Sequence, residues 1–232
     1  MAACVSPTSA TQSCKSIWII GDSYVRRGAQ RAAETLGDSL GLPDICVSWF
    51  SWGGLRWKDL LPFFFHSLHG RAAPDVLLIY CGGNDMGVVS SVKLVNMMED
   101  LHRLHLLHPH MMIIMSSITQ RCSWRAGVKP AKIEKARRFV NSVMATFISS
   151  LNGAVVVHLH IRHDSPGIFL SDRVHFTNRG NDIFLTNFAD CLWPAPKAVK
   201  DFQVGVSPLL NVAFRTGLFS GKQDKHIPDC YS

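Results

Sequence analysis

Five short apolar runs punctuate the chain, at residues 16–20, 45–50, 76–80, 111–115 and 154–159. Each has the length and the apolar content of a buried strand. Between and after them lie longer stretches, at 25–40, 56–68, 92–108, 130–151 and 179–192, whose apolar positions recur at helical spacing. Pro43, Pro74 and Pro109 punctuate the returns to the strands, and Pro62 is expected to bend or restart the second helix. Strands that alternate with helices imply parallel crossovers, so the pattern predicts an α/β fold: a three-layer αβα sandwich around a doubly wound sheet. Such sheets place their sites outside the carboxyl ends of the strands.

At 232 residues and 47% hydrophobic content the chain can bury one substantial core. One folded domain is expected over 15–193, with a flexible N-terminus at 1–14. After Trp193 the periodicity weakens, and 194–232 reads as a tail that is either loosely packed or disordered. The first fifteen residues lack a basic segment followed by a long apolar one, which argues against a signal peptide. The longest apolar runs fall far short of the roughly 20 residues a membrane span needs. Seven cysteines, an odd number without a C-x-x-C pair, read as free thiols in a reducing, cytoplasmic setting. The net charge of +7 favours anionic partners without naming one. Its densest stretch puts Lys132, Lys135 and Arg138 along one face of the fourth helix, opposite Ile133, Ala136 and Val140, the pattern of a solvated face.

Four segments carry chemistry: Gly21-Asp22-Ser23, Gly53-Gly54, Gly82-Gly83-Asn84-Asp85 and Asp172-Arg173-Val174-His175. Alone, each is an ordinary turn. Together they fall just after strands, or before the last helix, and the topology brings them to one rim. Ser23 ends the first strand run, where a tight turn opens a helix. A hydroxyl needs a base, and a neutral imidazole oriented by a carboxylate is the usual one, which His175 and Asp172 supply. The tetrahedral oxyanion of acyl transfer needs donors, and the backbone N–H groups of Ser23 and Gly54 with the side-chain amide of Asn84 provide three. Asp85 is expected to tie down its loop. Aromatic residues crowd the second block (Trp49, Phe50, Trp52, Trp57, Phe63 to Phe65), some as core and some as an apolar wall for an acyl chain. Trp52 is the pocket candidate, and Tyr24 and Met86 join it as substrate-contacting residues.

The four blocks resemble those of the SGNH (GDSL-type) hydrolases, matching at Ser23, Gly54, Asn84 and His175, with Asp172 three residues before the histidine. The resemblance covers roughly residues 15–193. It implies a flavodoxin-like five-stranded parallel sheet and esterase, thioesterase, lipase or carbohydrate-deacetylase activity without a metal or other cofactor. Two positions depart from the pattern: Tyr24 stands where the motif has Leu, and Arg173 where Gly is frequent. The segments at 18–27, 124–125, 136–141 and 175–184 look like esterase-like domains of fish genomes and of the first-reading-frame proteins of vertebrate LINE retrotransposons.

The expected function is a serine esterase that hydrolyses short to medium acyl or acetyl esters, small-molecule or lipid, through an acyl-enzyme. The alternative is a catalytically idle module of the same fold that binds nucleic acid or a lipid surface through its charge. A metal hydrolase is the distant option: His158-Leu159-His160-Ile161-Arg162-His163-Asp164 resembles an H-x-H-x-D-H pattern, but Arg162 places a cation where that pattern wants Asp.

Overall fold

A computed structural model of the chain describes residues 14–37, 39–87, 91–124 and 129–193. The expectations for 1–13 and 194–232 lie outside them. The strands are β1 (Lys15–Gly21), β2 (Ile45–Ser51), β3 (Val76–Tyr80), β4 (Met112–Ser116) and β5 (Ala154–Val156). The helices are α1 (Ser23–Thr35), α2 (Trp57–Leu68), α3 (Ser91–Leu107), α4 (Pro130–Ser150) and α5 (Asn178–Leu192), with a 3-10 turn at Gly83–Asp85. The strands form one sheet in the order β2-β1-β3-β4-β5, and every pairing is parallel.

Side chains alternate across the sheet, as the period of two requires. Trp18, Ile20, Leu77, Ile79 and Met115 pack with Leu60 and Phe64 of α2, Leu101 of α3 and Phe147 of α4. Ile17, Ile19, Leu78, Tyr80 and Ile114 pack with Val25 of α1 and with Phe184 and Phe188 of α5. Both faces are thus covered, which explains why the strands read as continuous apolar runs. The chain leaves β1 towards β2 on one side and returns to β3 on the other, so the strand order reverses at β1. The crevice between the carboxyl ends of β1 and β3 is the place where such folds bind ligands.

The end of α1, the course of α2 through Pro62 and the end of β5 differ from the sequence pattern. Helix α1 stops at Thr35, short of residue 40, because Gly37 takes a left-handed φ of 70° and its N–H turns back to Ala32 O. Helix α2 runs unbroken through Pro62. The missing N–H removes one helical bond, and the burial of Leu60, Leu61 and Phe64 outweighs it. Strand β5 ends at Val156, and the buried ring of His158 beyond it turns to Ser116 and Asn187.

The cysteines need a correction. Cys14 and Cys46 form a disulfide with Cα atoms 5.9 Å apart, just before Lys15 and at the start of β2, where Lys15 pairs with Ile45. Counting cysteines could not show that two of them, 32 residues apart, lie side by side on neighbouring strands. The bond removes the free-thiol support for a reducing compartment. Among the described residues no helix is long and apolar enough to cross a membrane.

Candidate active site

The first segment turns at the end of β1. Asp22 caps α1, its carboxylate accepting the N–H of Tyr24 at 3.0 Å, and Ser23 opens the helix. A helix N-terminus favours negative charge, and the Ser23 hydroxyl lies at this one. Ser23 Oγ lies 3.0 Å from His175 Nε2, and His175 Nδ1 lies 2.7 Å from Asp172 Oδ2. Asp172 Oδ1 accepts the N–H groups of Val174 and His175, both at 2.9 Å. Partial desolvation pushes the Asp172 carboxyl up, but these N–H donors and the imidazole outweigh it and hold its pKa down at about 2. Asp172 is therefore ionised at neutral pH, so it accepts from Nδ1–H and leaves the Nε2 lone pair facing Ser23.

The histidine loop is tied from several sides. The Tyr24 hydroxyl donates to Val174 O, and Leu170 N–H donates to His175 O at 2.8 Å. Arg173 stands with a left-handed φ of 61°. That backbone explains why glycine is frequent there in the resembling pattern, since an L side chain in this region is strained.

In the loop after β2, Gly54 has a φ of +78°, a conformation that suits glycine. Among the described residues the N–H groups of Ser23 and Gly54 meet no acceptor. Asn84 is differently placed: its Nδ2 donates to Asp22 Oδ2 at 2.9 Å and to Leu55 O at 3.1 Å. Asp85 caps α2, accepting Trp57 N–H at 2.9 Å. The two loops that follow β2 and β3 are thereby latched together. Next to the latch, a cleft of about 420 Å³ opens between Arg56, Lys58, Asp85, Lys93 and Asp100.

Of the residues expected to touch substrate, Trp52 is 53% exposed and packs edge-on to Phe63. Tyr24 and Met86, expected to touch substrate, are both buried, Tyr24 with its hydroxyl committed to Val174 O and Met86 in the core against α2 and α3. His158 is a hydrogen-bonded core residue, Nε2 to Ser116 Oγ at 2.8 Å and Nδ1 to Asn187 Nδ2 at 2.9 Å, while His160 is exposed. Among the described residues no group of three His, Cys, Asp or Glu side chains is placed to hold a metal.

Sequence reasoning missed the roles of Asp22, of the Tyr24 hydroxyl and of Arg121, whose guanidinium lies 3.8 Å from Asp22. Nothing local marks them. Each acts on a residue tens of positions away, and only the sheet brings the partners together.

The fold and these contacts define an α/β protein with a serine, a histidine and an aspartate in hydrogen-bonded series at the carboxyl end of a parallel sheet. No family model matches the chain, and no curated protein matches it. Solved structures do. A GDSL-like lipase from Bacteroides thetaiotaomicron aligns with a TM-score of 0.61 at 12% identity, over 79% of this chain and 90% of that one. The lipase/acylhydrolase from Enterococcus faecalis aligns at 0.55 and 16% identity, over 80% and 100%. A psychrotrophic esterase from a Pseudoalteromonas species, solved inhibited by monoethylphosphonate, aligns at 0.56 and 16%, over 77% and 96%. The fold is that of the GDSL/SGNH lipases and esterases.

Proposed function

We propose that this protein is a serine ester hydrolase of the SGNH type, with Ser23 as nucleophile, His175 as base and Asp172 as the group that orients it. The observation that carries the reading is the series Ser23 Oγ–His175 Nε2–Asp172 at 3.0 and 2.7 Å, beside two N–H groups that meet no acceptor among the described residues. His175 takes the Ser23 proton as Oγ attacks the ester carbonyl. The N–H groups of Ser23 and Gly54 receive the oxyanion, and Asn84 joins them by giving up its longer bond, to Leu55 O. The imidazolium, stabilised by Asp172, then protonates the leaving alcohol, and water releases the acyl group by the same route.

Trp52, exposed beside Gly53 and Gly54, is the apolar surface we assign to the acyl group. The charged cleft beside Asp85 suits a polar leaving group better than a long hydrocarbon. Short to medium acyl esters are therefore the proposed substrates. The likeness to the esterase-like domains of fish genomes and LINE first-reading-frame proteins rests on sequence segments alone and supplies a setting, not a substrate. A cytoplasmic setting has lost its cysteine support to the Cys14–Cys46 bond.

The test compares the full chain and its Ser23→Ala variant with a fluorophosphonate probe and with p-nitrophenyl esters from C2 to C12. Labelling should vanish in the variant, and turnover should fall by up to about 10⁶-fold. Equal turnover by both proteins would refute the assignment. A folded wild type that neither labels nor turns over any ester would leave the idle binding module as the better account.

A further inference from the structure

Arg121, in the loop after β4, is a buried cation that the reaction above does not use. Its side chain is 8% exposed, and its Nη2 lies 3.8 Å from Asp22 Oδ2. The guanidinium carbon sits 5.0 Å from the ring centroid of Tyr24 and 5.1 Å from that of Trp124. A Cβ on Gly83 would come within 2.5 Å of Nη2, so the turn that carries Asn84 has no side chain where the guanidinium passes. Among the described residues Arg121 Nε is buried without a hydrogen-bond partner. A cation buried with an unmatched N–H costs free energy unless a nearby charge offsets it.

That charge is Asp22. It is fully buried, and it is the acceptor for Asn84 Nδ2 at 2.9 Å. We propose that Arg121 is a positioning residue for the oxyanion site: by its charge it keeps the buried Asp22 a carboxylate, and that carboxylate aims the amide of Asn84. A protonated Asp22 would present a hydrogen where Asn84 also presents one, and the amide would turn its oxygen towards Asp22. Burial drives the Asp22 pKa up, and the largest opposing influence is the charge of Arg121, followed by the Tyr24 N–H, His175 and Asn84. Tyr80 and Cys81 also feel the Asp22 charge, and both thiol and phenol are themselves pushed up by burial, so neither opposes it at neutral pH. Arg121 is the permanent cation among these groups.

The catalytic consequence rests on the esterase reading, but the charge coupling does not, and two readouts separate them. Arg121→Met and Arg121→Lys are made in the wild-type chain and with Asp22→Asn, which keeps a capping side chain. Urea midpoints are measured at pH 4.5, 6 and 8. A group whose folded pKa lies above its unfolded one stabilises at low pH and loses that contribution as pH rises. Removing Arg121 raises the folded value further, so the midpoint loss of Arg121→Met should grow from pH 4.5 to pH 8. With Asn at 22 that growth should disappear. On p-nitrophenyl acetate, kcat of Arg121→Met should fall about 10- to 100-fold with KM within about threefold, and Arg121→Lys should recover most of it. A midpoint loss equal at all pH values, or one that grows equally with Asn at 22, would reduce Arg121 to packing and overturn the proposal. An unchanged kcat in a wild-type-active system would overturn its catalytic part. A wild type inactive on every ester would sink the esterase reading, and the midpoint series would still decide the Arg121–Asp22 coupling.

Discussion

His158 should make this protein acid-labile by an amount its burial fixes. The side chain is 8% exposed, holds Ser116 Oγ and Asn187 Nδ2, and stacks on Phe184 at 4.9 Å. Burial pushes its pKa down from 6.5 to about 3. The folded value lies below the unfolded one, so the unfolded chain binds the proton first. The neutral ring's contribution to stability is present above pH 6.5 and is lost as pH falls towards 3. With those two values the loss between pH 7 and pH 5 is about 2 kcal/mol, and the full swing is about 5 kcal/mol.

The assay is urea unfolding at pH 7, 6 and 5 for the wild type and His158→Gln, whose amide can still donate towards Ser116. The variant should be less stable at pH 7, yet its stability should fall less with acid, by up to about 1.4 kcal/mol per pH unit. Parallel curves would refute the buried neutral histidine.

Asn84→Ala should cut kcat by about 10²-fold and also lower stability by about 1–3 kcal/mol, because Asp22 Oδ2 and Leu55 O lose their donor; ester turnover and urea midpoints measure both. If stability is unchanged, the latch is not closed in solution. Arg173→Gly should raise the melting temperature by about 2–4 °C, the return of roughly 1 kcal/mol of left-handed strain at φ 61°, and a lower melting temperature would show that the side chain holds the loop. Reduction of the Cys14–Cys46 bond, which closes a loop of separation 32, should cost about 3–4 kcal/mol in the chain-entropy picture, read as a shift in the thermal or urea midpoint with and without dithiothreitol. Because that bond lies at the amino ends of β1 and β2, fluorophosphonate labelling of the folded, reduced protein should be unchanged. Labelling lost on reduction without unfolding would contradict that separation.

The strands were legible because both sheet faces are covered, so runs such as 76–80 are apolar at every position, and burial at all five residues of β3 bears this out. The hydrogen-bonded meeting of Ser23, His175 and Asp172 was legible because the chemistry expected of them restricts residue type and the topology brings their segments to one rim. What lay hidden was set by distance across the sheet. Cys14 gives no sign that Cys46 lies beside it, and Asp22 reads as a turn residue until Asn84 and Arg121 reach it from the loops after β3 and β4. Met86 and Tyr24 adjoin site segments in sequence, yet the turn after Asn84 and the first turn of α1 point both inward.

These hidden contacts share a direction that bears on how the site works. The groups proposed to react, Ser23 and His175, are partly exposed, whereas the groups that hold them, Asp22, Tyr24 and Asp85, are buried and hydrogen-bonded to backbone N–H or carbonyl groups. Asp22 binds the Ser23 turn to Asn84, Asp85 binds the Asn84 turn to α2, and Tyr24 binds α1 to the histidine loop. The carboxyl-end loops of β1, β2 and β3 and the loop before α5 thus form one hydrogen-bonded frame. In the proposed reaction such a frame would hold the Ser23 turn and the His175 loop in place before a substrate arrives, which is where electrostatic catalysis gains most. It also means that a substitution at any one anchor should disturb the alignment of the others, so anchor variants should combine non-additively while Trp52, outside the frame, should combine additively with each.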